Sequence, residues 1–319
     1  MSQESAIEKI CVYGTGGIGG YFGGKIAHAI DSSAGTKYKS YFIARGAHLE
    51  VIKRDGIKVI TPEQTIIGKP NQATDDIKEI PDLDLILICV KSYDLDKVVK
   101  SIESKVKDKT IVIPLLNGAD IYDRIRVNLN SGFVLPACVY ISTHIEKPGV
   151  VQQDGGDGRI LFGKDPKYKT FDPDKVIRTF NDMGINCQWN ENPFPAIWSK
   201  YIFIASFGLV SVHTGKCLGE IMEDAAAKEI VRAIMREIFN IAQEKGIEFP
   251  PNIIEEAINK ANFFPYDTKT SYQRDVEFKG KLNEGDLYGG TIISEGKALG
   301  IPTPVTSSIY AEIQNRFVG

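Results

Sequence analysis

The sequence predicts an α/β protein, with a doubly wound N-terminal domain followed by an all-helical C-terminal domain. Three observations lead there. The stretch "CVYGTGGIGGYFGGKIA", residues 11–27, sets an apolar strand, a glycine turn and a helix in the order that a dinucleotide-binding unit requires. Strand and helix signals then alternate through residues 1–190. From 191 to 319 the apolar residues recur at helical spacing, and no strand pattern is visible.

The elements follow in order. Lys9–Tyr13, "KICVY", is the first strand, and 21–30 reads as a helix of small and apolar residues. "KSYFIA" (39–44) is the second strand, reached through a polar extension, "DSSAGTKY". "LDLILICV" (83–90), "TIVIPLL" (110–116) and "FVLPACVYIS" (133–142) are continuous apolar runs, as parallel strands covered on both faces should be. "PGVVQQDGGDGRILFG" (148–163) reads as a hairpin, and "INCQWN" (185–190) as a last strand. Helices are expected over 197–212, 225–245, 252–261, 286–299 and 304–317.

A chain of 319 residues suits two domains, and 43% hydrophobic with 25% charged residues is ordinary globular composition. A net charge of −3 argues against a nucleic-acid or anionic-membrane partner. The five cysteines have no C-x-x-C spacing, so neither a metal site nor a disulfide framework is expected. Cys11 and Cys89 fall inside strand-like runs and read as small buried hydrophobes. "MSQESAIEKI" lacks the apolar region of a signal peptide, which places the protein in the cytoplasm. The run 197–212 is short for a membrane span and contains Lys200, so it reads as a buried core helix.

Chemistry in an open parallel sheet sits beyond the carboxyl ends of its strands. Gly14-Thr15-Gly16-Gly17-Ile18-Gly19 fits G-x-G-x-x-G: a tight turn, a close approach to pyrophosphate, and a close helix–strand contact. The helix N-terminus adds free N–H groups and a positive dipole end. Arg45 follows the second strand, where an arginine suits the 2′-phosphate of NADP and an acid would suit the ribose of NAD. Its alternative is a solvated turn residue. Lys91, in "ICVKSYD", either contacts cofactor or substrate or snorkels to water. Asn117, in "NGAD", is either a turn residue or the holder of a carboxamide or carboxylate.

Taken together, "GTGGIGG", "VKSYD", "PLLNGAD", "PGVVQQDGGDGRILFG", "IWSKYIF" and "TSYQRDVEFKGKLNEGDLYGGTIISEGKALGIPTP" stand in an order that resembles the ketopantoate reductase (2-dehydropantoate 2-reductase) family over nearly the whole chain. The resemblance implies a Rossmann domain that binds NADPH and a helical domain like that of 6-phosphogluconate dehydrogenase, with substrate taken between them. It implies reduction of ketopantoate to pantoate, a step of pantothenate synthesis. By motif, Lys200 in "WSK" matches the catalytic lysine and Glu284 in "LNEGD" the active-site glutamate. Lys91 and Asn117 match cleft-lining residues, and Ser271 in "TSYQRD" matches the serine that binds the substrate carboxylate.

Independent chemistry supports these roles. Hydride delivery to a 2-oxo acid forms an alkoxide, which needs a proton and a positive group beside it. A lysine ammonium supplies both, and its ordinary pKa of ~10.4 should fall in the apolar surroundings of Trp198, Tyr201, Ile202 and Phe203. Pro195 as an early helical residue puts Lys200 near the helix N-terminus, which acts the same way. Each residue also has a plainer reading. Lys200 can snorkel; Glu284 can complement a helix dipole behind an Asn283 cap, with Asp286 in the first turn; and Ser271 can cap a helix.

Two departures from the family pattern stand out. The lysine helix of the family usually carries asparagines four and eight residues on, whereas Ile204 and Gly208 occupy those positions here. They should line the cleft beside Lys200 and make it less polar. The Ser271-to-Glu284 interval is also one residue longer than is common. The hydride chemistry survives both, while a bulkier 2-oxo acid becomes an alternative substrate. Two further alternatives are a dehydrogenase of 3-hydroxy acids or glycerol phosphate and a non-catalytic NADPH sensor. The first lacks its usual lysine–asparagine spacing around Lys200, and the second needs neither Lys200 nor Glu284. The apolar helical domain offers a surface for a homodimer.

Overall fold

The computed structural model describes residues 6–33, 35–277 and 282–317. The chain forms two compact units. One contains the residues up to Leu116 together with Ile121–Pro193; the other contains Asn117–Asp120 together with the residues from Phe194 onward. The second unit therefore begins a few residues beyond 190 and takes in four residues that follow a strand of the first.

The first unit runs β1 (Lys9–Tyr13), α1 (Gly17–Asp31), β2 (Lys39–Ile43), α2 (Gly46–Asp55), β3 (Ile57–Ile60), β4 (Thr65–Gly68), β5 (Gln72–Thr74) and β6 (Leu85–Ile88). It continues with α3 (Leu95–Ile102), β7 (Ile111–Pro114), α4 (Ile121–Asn128), β8 (Phe133–Val134), β9 (Ala137–Lys147), β10 (Val150–Gly163), α5 (Asp174–Asp182) and β11 (Cys187–Asn190). Six strands form a parallel sheet in the order β5-β2-β1-β6-β7-β8, the doubly wound arrangement. Its central strands β6 and β7 are buried at every residue, which explains their unbroken apolar sequences.

Two sequence expectations need correction. The run 133–142 is not one parallel strand: β8 ends at Val134, and after Pro136 the chain enters β9 of a second sheet. Proline has no N–H to continue a ladder, so a strand breaks there readily. Nor is 148–163 a hairpin. It is the single long strand β10, antiparallel to β9, and the hairpin turn lies before it. The glycines read as a turn sit instead at register shifts of the β9–β10 ladder, where Gly156 and Gly158 take positive φ. β10 also pairs in parallel with β3 near its start and with β11 near its end.

Helix α1 explains the glycines of "GGYFGGK". A Cβ on Gly20 would stand 2.5 Å from Val151, one on Gly24 2.3 Å from Val59, and one on Gly23 3.0 Å from the Phe42 ring. One helix thus lies against β2 of the parallel sheet and against β3 and β10 of the second sheet. Glycines inside a helix each cost about 1 kcal/mol relative to alanine. Here they are what permits both contacts.

The second unit is helical among the described residues: α6 (Phe194–Thr214), α7 (Leu218–Glu223), α8 (Ala225–Glu244), α9 (Ile253–Lys260), α10 (Ser271–Val276), α11 (Thr291–Leu299) and α12 (Pro304–Phe317). A π turn, Asp286–Gly290, leads into α11. Short α7 has no counterpart in the sequence reading, and α10 enters it only as the helix that Ser271 could cap. Helix α6, at 21 residues, is longer than its apolar run and is long and apolar enough to cross a membrane, but most of it is buried inside this unit against α8, α9, α10 and α12. Buried Glu237 of α8 caps α12, accepting from the N–H groups of Val305 (2.8 Å) and Thr306 (3.0 Å).

A buried carboxylate also ties the first unit together. Asp165, fully buried, accepts from the Tyr122 hydroxyl (2.7 Å), Val134 N–H (2.7 Å) and Lys167 N–H (3.0 Å), and pairs with Arg126. Removing one partner of a buried pair leaves the other charge uncompensated, at a cost of about 3–5 kcal/mol. Asp165→Ala is therefore expected to lower the urea midpoint of the first unit, followed by the fluorescence of Trp189 with Trp198 replaced by phenylalanine in both proteins compared. An unchanged midpoint would show that the four contacts contribute nothing net.

Candidate active site

The glycine turn lies where β1 hands over to α1. Gly14 has φ +89°, a conformation open to glycine, and a Cβ there would stand 3.0 Å from the Cys89 carbonyl. A Cβ on Gly19 would stand 1.8 Å from the Gly14 carbonyl, so only glycine lets α1 begin this close to the strand. Gly16 differs: a Cβ there would meet nothing within 4 Å. The backbone at Gly16 thus borders open space at the N-terminus of a 15-residue helix, the feature needed to approach a phosphate closely.

Thr15 is buried in this turn, and Ile18 is half-buried in the first turn of α1. The Thr143 Oγ1 stands 2.7 Å from where a Gly17 Cβ would be; it is buried and has no hydrogen-bond partner among the described residues. A glycine cradle and an unspent hydroxyl at a helix N-terminus fit a dinucleotide phosphate.

Arg45 stands at the N-terminus of α2, just beyond β2, with its side chain 74% exposed and its Nη2 donating to Asp94 Oδ2 at 2.8 Å. Lys91 is half-buried just beyond β6. Since β2 and β6 are the two neighbours of β1, the Arg45–Asp94 bridge joins segments on either side of the glycine turn. His48, one turn into α2, accepts through Nδ1 from the Gly149 N–H at 3.0 Å, and burial pushes its imidazole below the usual histidine range. No motif or spacing singles out Thr143, His48 or Asp94.

In the helical unit, Lys200 lies in the second turn of α6, shortly after Pro195, and its Nζ donates to Asn117 Oδ1 at 2.8 Å. Three residues on, Asp120 Oδ2 accepts from the Thr291 hydroxyl at 3.1 Å. These two contacts bind both ends of Asn117–Asp120 to the helical unit. Asn117 stands just past the end of β7, where the sequence reading puts it, and its side chain meets the lysine.

Glu284 is buried at 4% exposure; Asn283 Oδ1 accepts from the Gly285 N–H at 2.9 Å, but the turn that follows begins at Asp286 with Gly285, not Asn283, at its cap position. Ser271 is not the cap of its helix. Thr270 takes that role, accepting from the Gln273 N–H at 3.1 Å, while Ser271 Oγ and the Tyr288 hydroxyl share a hydrogen bond of 3.0 Å. Ile204 is half-buried. Gly208 does not line an open surface beside Lys200: it is buried, and a Cβ there would stand 3.6 Å from Tyr272 and 3.8 Å from Tyr288. Tyr201 fastens the π turn, its hydroxyl donating to the Leu287 (2.7 Å) and Tyr288 (3.2 Å) carbonyls. Burial pushes this phenol well above the usual tyrosine range.

Residues 10–167 match the family model described as Ketopantoate reductase PanE/ApbA, and residues 194–316 match its C-terminal companion, Ketopantoate reductase PanE/ApbA C terminal. The chain belongs to the ketopantoate reductase family. Membership makes it an oxidoreductase acting on CH–OH groups, with a nicotinamide dinucleotide as redox partner. Similar curated proteins include the uncharacterized oxidoreductase YkpB of Bacillus subtilis, 25% identical over 96% of this chain and 98% of that protein. The 2-dehydropantoate 2-reductase of Pyrococcus horikoshii is 26% identical over 96% of each. Among solved structures, a PanE/ApbA family ketopantoate reductase from Ralstonia eutropha JMP134 superposes with a TM-score of 0.85 at 26% identity, over 96% of this chain and 97% of that one.

For this ketopantoate reductase family member, the glycine turn yields a contrast between two substitutions. Gly16→Ala has space in the protein, so its thermal midpoint should stay near wild type while its dinucleotide affinity falls at least about tenfold, because the new methyl faces the phosphate side. Gly19→Ala has no space, and both stability and affinity should fall. Differential scanning fluorimetry with and without NADPH reads both. Equal melting and equal binding of the two variants would contradict this reading of the turn.

Proposed function

We propose that the protein reduces the 2-oxo acid ketopantoate to pantoate with NADPH, using Lys200 as the general acid. The observation that carries this reading is the Lys200 ammonium, held at 2.8 Å by Asn117 Oδ1 on a helix of mostly apolar residues. A side-chain amide oxygen fixes the direction of Nζ without neutralising its charge. Lys200 is the positive group offered to an oxygen that turns from carbonyl to alkoxide as hydride arrives at C2. It stabilises the developing charge and delivers the proton, a contribution of about 10²–10⁴ in rate for general acid catalysis.

When bound, the reduced nicotinamide supplies the hydride. Gly14 to Gly19 hold its pyrophosphate, with Lys91 and Asn117 as further contacts. Ser271 donates to the substrate carboxylate, and Glu284 orients the hydroxyl of the product. Arg45, with its guanidinium largely exposed and steered by Asp94, is assigned to the 2′-phosphate of NADPH.

A second reading concerns the substrate tail. Ile204 lies one helical turn beyond Lys200 and is half-buried, so an apolar side chain borders the reacting group. That favours a bulkier, less polar 2-oxo acid.

The test is the initial rate of NADPH oxidation at 340 nm with ketopantoate beside a panel of larger 2-oxo acids. Fast turnover of ketopantoate is expected. A preference for a larger acid would support the second reading, and no turnover of any acid would contradict both. For the cofactor, Arg45→Ala is expected to raise KM for NADPH about tenfold and leave KM for NADH unchanged. An equal change for both would remove Arg45 from the 2′-phosphate.

A further inference from the structure

We propose that Tyr288 is the positioning residue for Ser271, donating its hydroxyl proton to Ser271 Oγ so that the serine's own proton is committed to the substrate carboxylate. The inference rests on the reading that this site takes a 2-oxo acid. It starts from proton counting. A carboxylate only accepts hydrogen bonds, and a serine hydroxyl has one proton to give. If Ser271 gives it to the carboxylate, the 3.0 Å contact between Ser271 Oγ and the Tyr288 hydroxyl must run the other way, from tyrosine to serine. The two hydroxyls then form a directed chain, each bond strengthening the next.

Three features fix the tyrosine for that task. Its backbone lies in the π turn Asp286–Gly290, and the Tyr201 hydroxyl secures the carbonyls of Leu287 and of Tyr288 itself. Its ring is stacked on that of Tyr272, with centroids 5.0 Å apart and planes at 28°. Both rings cover Gly208, and a side chain longer than alanine at that position would run into them. Gly208, Tyr272 and Tyr288 therefore form one packed set. The glycine that departs from the family pattern is what lets the tyrosines close over α6. Tyr288 is 1% exposed, which suits a group acting through Ser271 rather than touching substrate.

The experiment compares Tyr288→Phe, Ser271→Ala and the double variant, on whichever 2-oxo acid the wild type turns over fastest. The phenylalanine keeps the stack and removes only the hydroxyl. The expected result for Tyr288→Phe is a roughly tenfold rise in KM for the acid, with kcat and KM for NADPH within about twofold of wild type. Ser271→Ala should raise KM at least as much, and the double variant should be no worse than Ser271→Ala alone, because both act through one contact. Unchanged KM in Tyr288→Phe, or additive losses in the double variant, would overturn the proposal while leaving the catalytic reading intact. A loss confined to thermal midpoint would make the bond merely structural and overturn it too. An inactive wild type would instead overturn the reading beneath it.

Discussion

An ammonium on an apolar helix must be solvated by something, and the organisation of the helical unit follows from that requirement. Lys200 meets it in part through Asn117, a residue that follows β7 of the parallel sheet. Bringing the amide there means drawing Asn117–Asp120 out of the sheet-bearing unit, and the Thr291–Asp120 contact holds the far end of the segment in place. The rest of α6 is used for packing. Tyr201 secures the π turn, and Gly208 makes room for the tyrosine pair that stands over it. One helix thus carries the charged group, fastens the turn after Glu284 and packs against the tyrosine of α10.

In the first unit the equivalent constraint is steric. Helix α1 begins close enough to β1 that a single methyl at Gly19 would overlap a carbonyl, and further along it touches two sheets through bare Cα atoms. The cost in helix propensity, about 1 kcal/mol per glycine, is offset by contacts that a methyl group at any of these positions would push apart.

Much of this was legible in sequence, for identifiable reasons. Strands β1, β2, β6 and β7 read clearly because parallel strands buried on both faces give unbroken apolar runs. Long helices read clearly through their spacing. The second sheet did not, because β3 and β4 span only four residues each and β10 carries glycines at its bulges that look like a turn. Helices α7 and α10, six residues each, are too short for a period to show. In the site, Gly14 to Gly19, Lys200 and Asn117 were visible as motif residues. Tyr201, Tyr272 and Tyr288 were not, since aromatic residues among apolar ones read as core, and a π turn shifts side chains off the period by which a helix is recognised. Asp94 was hidden because its link to Arg45 is made in space, 49 residues away in sequence.

The most direct test of Lys200 as proton donor is chemical rescue. Lys200→Ala should reduce kcat for the 2-oxo acid by about 10²–10⁴ while leaving NADPH affinity within about twofold, and added ethylammonium should restore part of the lost rate. A variant that keeps its rate, or that loses NADPH affinity as steeply as turnover and does not respond to amines, would contradict the role assigned to Lys200.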